Sequence, residues 1–201
     1  MTVQDVTLLL AMLAVVAEAG VALALAVAIG GRWSTRLAAA RDALVEIVGP
    51  WTLELALGVA VVATLGSLYL SEVANFVPCR LCWYQRIAMY PLVPVLGVAV
   101  ARRDHGVRFY VLPVAVIGGL ISTYHVLLER FPSLESGVCE ATNPCTLLWV
   151  RRFGYLTIPT MALSAFALIV VLLLTAGAYE HAAPIEDAES ELPTDELEVV
   201  R

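Results

Sequence analysis

Residues 77 to 92 read VPCRLCWYQRIAMYPL, and three of these side chains have the types and spacing for chemistry. Cys79 and Cys82 form a CxxC pair, and Arg86 follows Cys82 by four residues. A CxxC serves as a thiol redox element, as half of a metal site or as a structural disulfide. Residues four apart share a helical face, so Arg86 would set a permanent positive charge one turn from the Cys82 sulfur. Pro78 suits the first turn of a helix, so a helix beginning at about Cys79 is expected. Its aligned peptide dipoles would favour a thiolate at that end.

A second pair, Cys139 and Cys145, lies in GVCEATNPCTLLW. Pro132, Gly137, Asn143 and Pro144 mark its surroundings as a loop, expected to be mobile and exposed. Asn-Pro favours a turn that would let the two sulfurs bridge. Three readings stay open here. The four cysteines could be structural disulfides, a four-thiolate zinc site or a redox relay. Zinc is disfavoured because the second pair lacks the short knuckle spacing.

The positioning elements follow from composition. The 201 residues are 60% hydrophobic and 15% charged, against roughly 25% charged in a soluble domain. The apolar residues fall into blocks at roughly 7–30, 53–74, 84–101, 108–128 and 157–178. Each is long enough, or nearly so, for a hydrocarbon core of about 30 Å, which takes about 20 helical residues. Lipid leaves no water for an unpaired backbone, so each must be a helix. Between the first two, STRLAAARDALVEIVGPW places Leu37, Leu44, Val45 and Val48 on one face. Ser34 could cap this segment and Pro50 would end it, which predicts an amphipathic helix on the membrane surface.

Arg32, Arg36 and Arg41 fall in one connection, and Arg102, Arg103 and Arg108 in another. Threading five helices puts both on one side, read as the cytoplasm from the arginine excess. The N-terminus and segments 74–83 and 129–156 then face outward and the C-terminus inward. Arg130, Arg151 and Arg152 oppose this assignment, though Glu129, Glu135 and Glu140 accompany them. The N-terminal run lacks a basic start and is not expected to be a cleaved signal peptide. The acids of residues 180–201 predict a disordered cytoplasmic tail. Arginines and acids nearly balance elsewhere, there is no basic stripe, and nucleic acid is not an expected partner.

All four cysteines therefore land on one outer, oxidising side. There a relay has a logic that the other readings lack. A loop pair can reach a soluble partner, and a pair on a membrane helix can reach something dissolved in lipid. A lipid-soluble electron acceptor with carbonyl oxygens is a quinone.

CRLCWYQRIAMYPL, STYHVLLERFP and CEATNPCTLLWVRRFGYLTIPT together resemble the disulfide bond formation protein B family, in its BdbC-like branch, over about residues 53–178. The resemblance implies an all-α polytopic membrane protein with a four-helix bundle in the cell membrane. This chain would add an N-terminal transmembrane helix and an interfacial amphipathic helix, dividing it as 1–50, 51–179 and 180–201. It also implies a membrane thiol oxidoreductase that reoxidises a DsbA- or BdbD-like thioredoxin-fold oxidase and passes electrons to ubiquinone or menaquinone. By motif, Cys79 and Cys82 are its membrane-proximal catalytic pair, with Cys82 beside the quinone and able to form a charge-transfer complex with it. Cys139 forms the mixed disulfide with the partner, and Cys145 exchanges with Cys79. Arg86 and His125 are the implied quinone-binding residues, with no metal. Gln85 stands where the best-known member has glutamate.

The alternative is a structural or zinc-binding membrane protein with non-catalytic cysteines. A vitamin-K-epoxide-reductase-like enzyme is disfavoured because its helix-borne CxxC comes late in the bundle. Outside the resemblance, Glu18 is expected to point into the bundle, since a carboxylate facing lipid is costly. Gly118 and Gly119 should allow close helix contact. Trp83, Tyr84, Trp149 and Tyr155 read as interfacial aromatics, the first two also as candidates to line a quinone slot.

Overall fold

The computed structural model describes residues 2–135, 137–140 and 142–190. α1 (Val3–Gly30) starts at a reciprocal cap. The Asp5 N–H donates to Thr2 Oγ1 and the Thr2 N–H donates to the Asp5 carboxylate, satisfying two orphan donors of the first turn. α2 (Thr35–Val48) buries none of its residues, as a surface helix should. Ser34 occupies its N-cap position but makes no side-chain cap bond. Pro50 then sits in a 3₁₀ turn, Gly49–Trp51, that redirects the chain into α3 (Thr52–Leu68).

Two departures from regular helix matter below. α3 does not end cleanly but widens into a π turn over Tyr69–Val73. The span expected at 84–101 is two helices, α4 (Arg80–Met89) and α5 (Leu92–Arg102). Pro91 lies at the junction, where it lacks an N–H and a regular helix breaks. Together the two segments remain long enough to cross a membrane. α6 (Arg108–Arg130) and α7 (Ile158–Ser190) complete the chain. Among the described residues there is no strand, and five segments are long and apolar enough to span a bilayer.

α7 is the hub, packed against α1, α3 and α6. Leu53, Ala56, Ala60, Leu96, Val111, Ala115, Phe166, Ile169 and Leu173 form the central core. At Gly118 α6 packs closely on α7, because a Cβ there would collide with the Phe166 ring; Gly119 has room for one. The protein is thus a four-helix membrane bundle (α3, α4–α5, α6 and α7) with α1 added on the α7 side and α2 along its end.

Polar contacts gather at both ends. Arg152, between α6 and α7, donates to Thr7 Oγ1 at 2.7 Å and to the Gln4 carbonyl at 3.0 Å. Arg80 pairs with Glu140 at 2.7 Å. The start of α1 and the connections carrying both cysteine pairs therefore share one end. At the opposite end Arg108 pairs with Glu180, with His105 3.8 Å from the same carboxylate. That tether and the helix-forming Ala182 and Ala183 accompany a helix that continues to Ser190, where a disordered segment from 180 was expected. Residues 191–201 of that expected tail lie outside the described residues.

Candidate functional site

Cys79 is the N-cap of α4, so Pro78 precedes the cap rather than occupying the first turn. The Cys82 N–H points back at the Cys79 sulfur, 3.4 Å away, and the two sulfurs lie 3.0 Å apart, unbonded. Cys79 is buried, yet its thiol is held far below the ordinary range, down to about 4. The chief cause is the Cys82 thiol donating to it. Burial opposes this shift, while His125 and the Cys82 backbone N–H add to it. In the reduced pair the negative charge therefore resides on Cys79.

Cys139 and Cys145 form a disulfide with Cα atoms 5.8 Å apart. The loop carrying them is not the free, exposed segment expected. Cys145 is 1% exposed and packs in one cluster with Cys79, Leu81 and Leu128, with Cys82 and Cys139 at its edge. Three polar contacts fold the loop back. Asn143 Nδ2 donates to the Pro78 carbonyl at 3.1 Å, Arg80 pairs with Glu140, and His125 Nε2 donates to the Cys145 carbonyl at 3.0 Å. The four-thiolate zinc arrangement is not formed, since two of its sulfurs are bonded to each other. Cys79, Cys82 and His125 do present donor atoms within 4.8 Å of one another, but both imidazole nitrogens are already engaged.

His125, on α6, stands between the two pairs. Because a carbonyl only accepts, its Nε2 carries the proton; the same nitrogen lies 3.7 Å from Cys79 Sγ. Its Nδ1 then accepts from Gln85 Nε2 at 3.2 Å. Gln85 thus fixes the tautomer of a buried ring that touches both cysteine pairs. One turn on, Glu129 accepts from Thr157 Oγ1 at 2.6 Å and lines a small cavity of about 20 Å³ with Cys79, Cys82 and His125. That volume holds about one water. In the sequence Glu129 accompanies the outward-facing arginines; its i, i+4 relation to His125 is the signal that points to this site.

Cys82 and Arg86 open onto a much larger cavity of about 430 Å³, within the range of about 300–1,000 Å³ for small-molecule sites. Arg86 donates through Nε to Ser67 Oγ at 3.0 Å and through Nη2 to the Ser67 carbonyl at 3.1 Å. Tyr90 donates to the same Ser67 Oγ. The π turn begins two residues beyond Ser67, and such turns are frequent at functional sites. The Arg86 guanidinium lies over Trp83, and among the described residues no carboxylate is within ion-pair distance of it. Trp83 and Tyr84 do not line the cavity; Trp149 and Tyr90 do. Trp149 stacks on Phe76 at 5.1 Å, joining the two connections at the cysteine-bearing end of the cavity. Ser67 carried no sequence signal toward this site, whereas the i, i+4 relation of Tyr90 to Arg86 was a signal that could have found it.

The apolar walls, the amide of Gln85, the hydroxyls of Ser67 and Tyr90 and an arginine with no carboxylate partner among the described residues suit a flat ligand bearing carbonyl oxygens. A quinone fits that description.

Comparison with known proteins gives a family match. The family described as disulfide bond formation protein DsbB matches residues 50–176. Disulfide bond formation protein C of Bacillus subtilis (strain 168) is 50% identical over 117 residues, covering 57% of this chain and 84% of that protein. A probable disulfide formation protein C of Bacillus cereus is 47% identical over 115 residues, covering 57% and 83%. A probable disulfide formation protein of Oceanobacillus iheyensis is 46% identical over 117 residues, covering 57% and 81%. No solved structure matches. With its helical membrane bundle and four clustered cysteines, the chain belongs to the DsbB family of disulfide bond formation proteins and is a multi-pass membrane thiol oxidoreductase.

Proposed function

We propose that this protein reoxidises a thioredoxin-fold, DsbA- or BdbD-like thiol oxidase outside the cytoplasm and delivers the electrons to a membrane quinone. The observation that carries the reading is that Cys82 and Arg86 open into one apolar cavity, with both cysteine pairs packed behind them. The orientation follows from the arginine-rich connections at Arg32–Arg41 and Arg102–Arg108, which belong in the cytoplasm. The cysteine connections and the N-terminus then lie outside and the C-terminus inside.

A thiolate of the partner attacks Cys139, breaking its bond to Cys145, which leaves as a thiolate. The partner's second thiolate closes the partner's own disulfide and releases Cys139. Two electrons have then entered the loop pair, and two protons have left the partner. Cys145 attacks Cys79 of a closed Cys79–Cys82 bond and releases the Cys82 sulfur toward the cavity. Cys139 then displaces Cys79 from Cys145, which closes the loop pair and leaves the helix pair reduced. Closed loop pair and open helix pair is the arrangement of the four sulfurs in this structure. Bound quinone would supply an acceptor for two electrons and two protons, allowing Cys79 and Cys82 to close again. Arg86 would hold a carbonyl oxygen of that acceptor, while His125 and Glu129 hold protons beside the sulfurs.

The test supplies purified protein with a reduced thioredoxin-fold oxidase and follows quinone absorbance. Reduction that disappears in Cys82→Ala is expected; unchanged reduction in that variant rejects the assignment. In a Cys145→Ala variant the free Cys139 thiolate should attack the disulfide of the oxidised partner, displace one of its sulfurs and hold it as a mixed disulfide, which identifies it. Bound zinc with four alkylatable thiols after chelation would instead favour a metal-binding role.

A further inference from the structure

The family match begins at residue 50, so α1 lies outside it. Yet Leu10, Leu13, Ala14 and Ala17 of α1 line the cavity that receives Cys82 and Arg86. Their spacing of three, one and three puts them on one helical face. Opposite stand Leu55, Val59, Val62 and Gly66 of α3. Leu10 fills the space a side chain would need at Gly66, so the two helices meet at the outer end. Below that contact they are separated by the cavity.

The cavity is amphiphilic along its length. Ser67, Cys82, Gln85, Arg86 and Tyr90 cluster toward the outer end, whereas the wall from Val62 to Leu55 is aliphatic, with Glu54 at the far end. From Leu70 to Leu55 along α3 the helical rise makes it about 22 Å long. That is far more than one ring needs.

α1 is also fixed, not merely adjacent. Glu18, as the charge argument expected, faces α7. It accepts from Tyr155 Oη at 2.6 Å and Ser164 Oγ at 2.9 Å. The bond to Glu18 raises the Tyr155 pKa above its ordinary value, so the phenol keeps its proton. With the Arg152 contacts to Thr7 and Gln4, α1 is pinned at two heights. Ala11, Ala14 and Ala17 are all buried along the pinned face.

Resting on the quinone reading above, we infer that α1 is the outer wall of a channel for the acceptor's polyprenyl tail, with Ala14 and Ala17 setting the width available to it. Continuity with the Cys82–Arg86 end, the aliphatic inner wall and the length all match a ring joined to an isoprenoid chain.

The experiment compares menadione, which has no tail, with its four-isoprene homologue on the full-length protein in lipid nanodiscs. Binding is read by quenching of tryptophan fluorescence, and turnover with dithiothreitol as electron donor. In wild type the tailed quinone should bind at least tenfold tighter. Ala14→Phe, which fills the channel, should cut that preference at least tenfold in both Kd and kcat/KM. Ala17→Leu should cut it less. Leu23→Phe, on α1 outside the channel, should leave the preference unchanged. If Ala14→Phe fails to fold, the milder Ala17→Leu decides. A preference unmoved by either channel variant, or moved equally by Leu23→Phe, overturns the inference while leaving the quinone reading standing. Recovery of a phospholipid in the channel, with the preference unmoved, assigns the space to bilayer lipid and overturns it too. Failure of wild type to bind or reduce either quinone defeats the quinone reading itself.

Discussion

Cys79 and Cys82 are separated by one turn of a helix, whereas Cys139 and Cys145 are joined across a loop held down by three polar contacts. The helix gives the first pair a fixed spacing, a backbone donor and a sulfur held as thiolate. The loop gives the second pair none of these. Under the proposed function, its tethers would be exchanged for those of a partner. In the function proposed above, one pair on a rigid helix and the other on a tethered loop would separate two demands, contact with a lipid-soluble acceptor and contact with a large soluble donor.

The largest expected effect separates the two pairs by function. Cys82→Ala should bring acceptor reduction to background while still forming a mixed disulfide through Cys139, as read on a non-reducing gel. Cys139→Ala should abolish both.

Next in size is Arg86→Met, which removes the charge and both bonds to Ser67. Charge-assisted hydrogen bonds are worth about 1.5–3 kcal/mol, so the quinone KM should rise about 10- to 100-fold with the loop chemistry unaffected.

The pairs should also differ in pH dependence. With Cys79 depressed to about 4, it stays ionised at every pH well above that value and gains its proton only as pH falls through it. Alkylation of the reduced helix pair should therefore stay fast from neutral pH down to about 5. Reduced loop thiols should slow below the ordinary thiol value of about 8.5. His125→Ala should move the Cys79 transition upward; a mass-spectrometric alkylation profile reads both.

The smallest effect is expected at the Arg80–Glu140 pair, which is largely exposed. Such pairs contribute about 0.2–1 kcal/mol, so Glu140→Gln should speed mixed-disulfide formation by less than about fivefold. The gain should vanish at high salt, where the wild-type pair is screened.

How far these features were readable depended on the distance over which each is encoded. The spans and the surface helix follow from local apolar periodicity, and the structure has all of them. The Cys82–Arg86 relation is one helical turn and was equally legible. The break at Tyr90–Pro91 was local too, but Pro91 was submerged in a run apolar enough to read as one helix. The loop's return onto the bundle was not legible, because Asn143 meets Pro78 and Glu140 meets Arg80 across some sixty residues of chain. Nor was the Arg86 anchor, since Ser67 is reached only when α3 and α4 pack. That α1 would line the cavity depends on the same kind of packing, and uniform hydrophobicity shows no face to the sequence reader.

The absent methyl at Gly118 has a bearing on both sites at once. Phe166 rests directly against that backbone, so any larger residue there must displace the Phe166 ring or act as a spacer between α7 and α6. α6 carries His125, against the sulfurs, and α7 carries Ile158 and Met161, against the apolar cavity. One hydrogen atom thus serves as the gauge block between the helix that holds His125 against the sulfurs and a helix that walls the apolar cavity.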